Sequence, residues 1–303
     1  MKTFYIDIDR PELSSKFKSE LQSRGFVEST KMPVDFMHVY GEAGYNHNLF
    51  NTKKSKLVNL ITGKSKNIIK NKLNLSERFA DYDFIPKSIR IESATDIPKF
   101  NKLKIMKPTA GYAGAGICIV QNSEEAKQCL NSQYREYILQ DYIQNPATVQ
   151  GYKFHLRIML ILLLEPYSLF VANKHHIVTA KKKYIKDDWS NSAIHDTHYY
   201  ARTNLSFFPE TLPDDWKTPG QSINKINEIF RIIFSKEKEF KPDWNAKNGY
   251  YIFGADVMFD GRKPILLEIN SAPTFNLNLL FLTSALPTIL IDRKEHPDFT
   301  QVI

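Results

Sequence analysis

The chain has 303 residues, 42% of them hydrophobic, and no low-complexity tract, which excludes a disordered or fibrous protein and leaves room for two or three lobes around a substantial core. Its 41 basic residues against 33 acidic ones give a net charge of +8. That excess favours acidic partners without dictating a fold, and because the lysines are scattered and no usual nucleic-acid motif is present, nucleic acid is not an expected partner. The longest apolar run, Ile158 to Leu164, is too short to span a bilayer, so no membrane role is expected. Two cysteines without metal-type spacing fit a reduced, cytoplasmic protein.

In chain order, Lys2 to Asp9 reads as a first strand rather than a signal peptide, because charges interrupt its apolar residues. Glu12 to Arg24 has helical periodicity and stops at Gly25, and Phe36 to Tyr40 reads as a second strand, giving a small α/β lobe over residues 1–62. Lys64 to Leu75 is basic and helical at its end, and Phe84 to Ile91 is an extended piece marked by Pro86. A strand from Leu103 to Lys107, a glycine loop, a strand from Ile117 to Val120, a helix from Ser123 to Asn131 with Ser123 as N-cap, and a strand from Tyr137 to Ile143 build a central lobe, 63–142. Lys153 to Leu164 and Leu169 to Ala180 are expected as two long strands, Lys186 to Trp216 as irregular chain and Ser222 to Phe234 as an amphipathic helix. A last pair of strands completes a C-terminal lobe, 143–303, and the whole is of α+β class.

That last pair runs from Tyr250 to Asp260 and from Pro264 to Pro273. Strict alternation would place Leu266, Glu268 and Asn270 on one face and Ile265, Leu267 and Ile269 on the other, so that Asp256, Glu268 and Asn270 converge as oxygen ligands. Mg²⁺ accepts one or two carboxylates, keeps waters, and takes its remaining oxygens from phosphates. A half-exposed hairpin could carry the same residues, but a strand this apolar belongs inside a sheet, where a carboxylate needs a metal or a partner. The loop from Lys107 to Ile117 contains Gly111, Gly114 and Gly116, whose amides could wrap phosphate beside the Lys107 charge; a tight hairpin would use the same glycines. It is neither a Walker A loop nor a dinucleotide fingerprint. Lys153, His155 and Arg157 share one face of a strand, as a phosphate-facing row or as snorkelling cations.

Taken in order, the Lys-Pro glycine loop, Gln140-Asp141-Tyr142-Ile143, Lys153-Phe-His-Leu-Arg157, Thr203-Asn204, Gly254-Ala-Asp256 and Glu268-Ile-Asn270-Ser-Ala-Pro273 resemble the tubulin–tyrosine ligase-like family of ATP-grasp enzymes, from Leu57 to Phe275. The resemblance implies an ATP-grasp fold that holds ATP between the central and C-terminal lobes. It places adenine against Gln140 to Ile143, phosphates at Lys72, Lys107 and the loop glycines Gly114 and Gly116, and Mg²⁺ at Asp256, Glu268 and Asn270. Lys153, His155, Thr203 and Asn204 are implied to touch the nucleotide, and Arg157, Glu268 and Asn270 to serve catalysis. The implied activity is an ATP-dependent carboxylate–amine ligase, which joins a free amino acid to an acidic protein or peptide such as a tubulin tail through an acylphosphate, as in glutamylation, glycylation or tyrosination.

Two positions depart from the family pattern. His155 stands where the motif has Asp, which bears on the ribose contacts, and Val178 where the next strand has arginine, for which Lys181, Lys182 or Lys183 could substitute in holding the carboxylate substrate, as a point charge without the arginine fork. An ATP-grasp inositol phosphate kinase and a catalytically inactive nucleotide-binding protein are the alternative readings. His175-His176 and the His195/His198 pair lack the companion cysteines of a zinc site, and Trp189, Trp216 and Trp244 read as packing anchors.

Overall fold

The structure, a computed structural model, describes residues 1–8, 10–40, 55–59, 72–109, 114–197, 222–236, 248–271, 273 and 280–303. In chain order the strands are β1 (Lys2–Ile8), β2 (Phe26–Glu28), β3 (Phe36–Tyr40), β4 (Leu57–Asn59), β5 (Ser88–Ile91), β6 (Lys104–Pro108), β7 (Cys118–Val120), β8 (Tyr137–Asp141), β9 (Thr148–Val149), β10 (Tyr152–Leu164), β11 (Tyr167–Ala172), β12 (His176–Thr179), β13 (Asn248–Asp260), β14 (Lys263–Asn270) and β15 (Phe299–Gln301). The chain is thus a sheet-dominated α+β protein. Among the described residues, no helix is long and apolar enough to cross a membrane.

Among the described residues, eleven strands form one mixed sheet in the order β15-β11-β10-β13-β4-β3-β1-β2, with β9 and β12 also on β10 and β14 also on β13. Strands from the first expected segment and from the last are therefore hydrogen-bonded in one sheet, and the boundary at residue 62 lies outside the described residues. The other four make a separate antiparallel sheet, β5-β8-β6-β7.

The antiparallel pair β10 and β13 is the spine. Phe154, Leu156, Ile158, Leu160 and Leu162 of β10 and Tyr251, Phe253, Ala255, Val257 and Phe259 of β13 form one buried face, covered by Ile226, Ile229, Phe230, Ile233 and Phe234 of helix Ser222–Lys236. On the opposite face, Met159, Ile161, Leu163, Tyr250 and Ile252 lie under helices Pro11–Gln22 and Leu282–Leu290. That second face turns polar toward one end, at Lys153, His155, Arg157 and Asp256. Each fully buried Leu or Phe on the helix-covered face contributes roughly 1.5–3 kcal/mol, and a one-residue slip would put the cations under the helix. The register that places the polar row is therefore held by the apolar one.

Several expected details are corrected. Leu169 to Ala180 is not one strand: β11 pairs with residues 160–164 of β10 and β12 with residues 154–157, and between them Asn173 leaves the ladder to bond the Asp298 carbonyl and the Thr300 hydroxyl. The helix expected from Ser123 to Asn131 spans Ser123–Gln128, capped by Asn122, whose side chain accepts from the Glu125 N–H; an amide oxygen one residue earlier reaches the free N–H that Ser123 was expected to satisfy. Phe26–Glu28 is an additional parallel strand beside β1, and Ser192–His195 is a helical turn inside the segment expected to be irregular.

Candidate active site

The polar end of the sheet is a grid set by register. Arg157 lies opposite Asp256 and Met159 opposite Gly254; across the other edge of β13, Asp256 lies opposite Glu268 and Gly254 opposite Asn270. Asp256, Glu268 and Asn270 are thereby brought together on one face. The alternation expected along β14 fails at one point: a β-bulge between these rows pairs Val257 with Leu266, so Leu266 turns into the helix-side core beside Ile269 while Leu267 is skipped. The extra residue reverses the facing of the strand below Glu268 without moving Glu268 or Asn270 off the site. Gly254 is required for space, since a Cβ there would lie 2.7 Å from Pro273 Cβ and 3.0 Å from Arg157 Cδ.

Both carboxylates have positive partners. Asp256, 1% exposed, takes a forked contact from Arg157, through Nε to Oδ1 and through Nη2 to Oδ2 at 2.9 Å, with His155 Nε2 at 3.7 Å from Oδ1. Lys72, in helix Lys72–Arg78, puts its Nζ 3.0 Å from Glu268 Oε2, and Asn270 Nδ2 donates to Glu268 Oε1 at 3.0 Å. Burial alone would raise the Glu268 carboxyl, but the Lys72 charge and the hydrogen bonds from Asn270 and Lys72 hold it well below the usual carboxylate range. Glu268 is an anion throughout the neutral range.

The four-stranded sheet buries Met106, Val120, Tyr137 and Leu139 against Ala126 of the capped helix and turns Lys107 and Gln140 to its other face. Lys107 Nζ donates to Gln140 Oε1 at 2.8 Å, and Gln140 Nε2 donates to Ser88 Oγ at 2.9 Å. Burial pushes the Lys107 ammonium down to about 8 against the pull of Glu268, with Lys72 adding to the depression. Asp141 turns the other way, to Lys104 at 2.6 Å, so its carboxylate does not share the face of Gln140; Ile143 is half-buried just beyond the strand.

Lys153, 4% exposed, donates to the Tyr142 hydroxyl at 2.7 Å; Tyr142 in turn meets His195 Nδ1 at 2.7 Å, and His195 Nε2 lies 2.7 Å from the Asp188 carbonyl. Trp189 stacks on His195 at 5.5 Å and meets Tyr142 edge-on, the packing part expected of it. His155 Nδ1 pairs with Thr197 Oγ1 at 2.7 Å, and Val178 lies opposite His155 in the ladder. Gly114, at φ +78°, faces the Asp196 carboxylate, which a Cβ would approach to 3.0 Å; Gly116, at φ +73°, is pinned by Tyr134 and Pro108, each 2.7 Å from a Cβ placed there. Residues 110–113, Gly111 among them, and Thr203, Asn204, Trp216 and Trp244 lie outside the described residues.

Sequence reasoning missed His195, Asp196 and Thr197 as neighbours of the site. His195 ends one helical turn and Asp196 and Thr197 follow it, in a segment with no periodicity, where the one visible signal is the histidine itself, read with His198 against a zinc site. The donor set of two carboxylates and one carboxamide on a shared face fits a hard divalent cation. The positive partners now on Asp256 and Glu268 mark the demand for positive charge that such an ion would meet.

The profile of the tubulin-tyrosine ligase family matches residues 45–290. A probable tubulin polyglutamylase, ttll-9 of Caenorhabditis elegans, is 26% identical over 250 residues, covering 71% of this chain and 60% of that protein. The tubulin polyglutamylase TTLL7 of Mus musculus is 25% identical over 244 residues, 66% of this chain and 26% of its own length. The protein polyglycylase TTLL10 of Macaca fascicularis is 24% identical over 262 residues, 69% of this chain and 41% of its own. The matched region spans between 26% and 60% of these relatives' lengths.

Proposed function

This chain belongs to the tubulin-tyrosine ligase family, and from that premise we propose that it is an ATP- and Mg²⁺-dependent ligase joining a free amino acid to an acidic protein or peptide, with a tubulin tail as the candidate acceptor. In this reading a carboxylate oxygen attacks the γ-phosphorus, ADP leaves, and the amine nitrogen then displaces phosphate from the acylphosphate carbon to form the amide. The names of the relatives, polyglutamylases and a polyglycylase, support a glutamyl or glycyl transfer. A cytoplasmic setting is part of the same proposal, resting on a sequence with two cysteines and no metal-type spacing between them.

The observation that carries the reading is the row Arg157–Asp256–Glu268, flanked by Lys72 and Lys107 and continued by Asn270. When bound, Mg²⁺ supplies concentrated positive charge to the phosphate oxygens, and Asp256, Glu268 and Asn270 would hold it. Lys72, Lys107 and Arg157 offset the repulsion between a triphosphate and an approaching carboxylate. Arg157, braced on Asp256, presents a fixed fork, and Glu268 stays ionised because Lys72 and Asn270 hold it so. The base of the nucleotide is assigned to the Gln140–Ile143 strand end, beside Lys153 and His155, with Thr203 and Asn204 assigned to the ribose or phosphates.

The test is mass spectrometry of acidic peptides incubated with the protein, ATP, Mg²⁺ and a mixture of the common amino acids. An added aminoacyl mass with release of phosphate is expected, and Glu268→Gln should lower its rate by roughly a hundred- to a thousandfold while the fold persists. Phosphate retained on a hydroxyl would assign a kinase instead. ATP binding without turnover on any acceptor would assign an inactive nucleotide-binding protein.

A further inference from the structure

We propose that His195 is a positioning residue for the nucleotide, fixing through the Tyr142 hydroxyl the direction in which Lys153 presents its ammonium group. The inference rests on the ATP-binding reading above and adds a residue from a segment to which that reading assigns nothing.

The hydrogen bonds can be oriented from one end. The Asp188 carbonyl can only accept, so His195 Nε2, 2.7 Å away, carries the proton. The ring takes no second proton near neutrality, because burial and the nearby Lys153 charge both oppose it. His195 Nδ1 is then a bare acceptor, and Tyr142 Oη at 2.7 Å must donate to it. With its one proton committed, the phenolic oxygen can only accept from Lys153 Nζ, also at 2.7 Å. All three groups thus have a single arrangement. The imidazole plane is set by Trp189, stacked at an interplanar angle of 26°, and by Tyr184 edge-on at 6.0 Å.

Lys153 is left in an environment that calls for an anion. Its neutral acceptor takes one of three protons, its charge lies 4.5 Å from the centre of the Tyr142 ring, and, among the described residues, Lys107 repels it while Asp196 attracts it. The segment that supplies His195 makes two more contacts with the site: Asp196 faces Gly114 of the glycine loop, and Thr197 bonds His155 on β10. Three consecutive side chains therefore end just beyond β8, on the glycine loop and on β10. Losing the His195 acceptor would free the Tyr142 hydroxyl to rotate and let the ammonium swing with it.

The experiment measures ATP affinity by calorimetry on the full chain with Mg²⁺, alongside the thermal midpoint of each variant. His195→Leu keeps bulk and removes both nitrogens, and Tyr142→Phe keeps the ring and removes the hydroxyl; each should weaken ATP binding roughly tenfold, the scale of a hydrogen bond to a charged group. His195→Asn keeps an acceptor near the Nδ1 position and should recover affinity to within about twofold, whereas His195→Gln, with its polar atoms near the Nε2 position, should not. In a Lys153→Met background, His195→Leu should have no further effect, since the coupling runs through the lysine. Equal loss in the Leu and Asn variants, retained affinity in both Leu and Phe variants, or an undiminished effect of His195→Leu without Lys153 would overturn the inference while leaving ATP binding by the unchanged protein in place. Absence of ATP binding by the unchanged protein would overturn this inference and the ligase reading together.

Discussion

Lys153 has the largest mismatch in the site between a charged side chain and its surroundings. Burial, reinforced by Lys107, lowers its ammonium to about 7 from an ordinary 10.5. The folded protein releases this proton before the unfolded chain does, so the stability it contributes is full above about 10.5 and is lost as pH falls through about 7. A phosphate oxygen set against the ammonium works in the opposite direction and restores the proton. Binding of ATP at about pH 8 should therefore take up protons, and affinity should fall by up to roughly tenfold per pH unit as pH rises above 7. Calorimetry in two buffers of different ionisation enthalpy reads this directly, and identical heats would contradict it. His155 shows a residue-scale substitution whose partner only the fold reveals. Thr197 on one nitrogen and Asp256 at 3.7 Å from the other accommodate a ring where the family motif has a carboxylate.

At the scale of elements, the β13–β14 hairpin is built from three exceptions to regular strand geometry. The bulge at Leu267 lets Leu266 join the helix-covered core while Glu268 and Asn270 keep their face, Gly254 leaves a gap in the grid, and Pro273 fills it. Gly254→Ala should consequently push Pro273 or Arg157 aside, at about 1–3 kcal/mol of stability, because neither backbone-linked ring nor forked guanidinium can move freely. The expected outcome is a lowered thermal midpoint together with weakened Mg²⁺-dependent ATP binding. A variant with unchanged midpoint and affinity would show that the segment after Asn270 yields easily.

For the whole molecule, the charge of +8 acts at a distance. Encounter with an acidic peptide should be steered, so ligation below saturation should slow severalfold between about 0.05 and 0.5 M salt, while transfer to a neutral peptide of equal length should change little. Equal salt dependence for the two peptides would remove the electrostatic basis for an acidic acceptor. The same scale explains why the sheet is larger than sequence reading suggested. Leu57 to Asn59 pairs in parallel with Asn248 to Tyr250, almost two hundred positions later, and nothing local in either segment announces the other.

Periodicity settled a great deal by itself. The period-two rows of β10, the amphipathic stripe of helix Ser222–Lys236 and the buried run Ile158 to Leu164 follow from the spacing of residue types, because burial rewards one face of each element and the chain records which, whereas the order of the motifs carries only the family resemblance. Spacing also located Asp256, Glu268 and Asn270 near one another, since adjacent antiparallel strands must bring such residues side by side. Only the tertiary structure decided that Asp256 is forked by Arg157, that Glu268 is paired with Lys72 from a distant helix, and that Lys153 is oriented through Tyr142 by His195. These are contacts between segments far apart in the chain, made by single side chains with no repeat. Their pairing is fixed by how the two sheets and the intervening turn pack, a global outcome that no local pattern encodes.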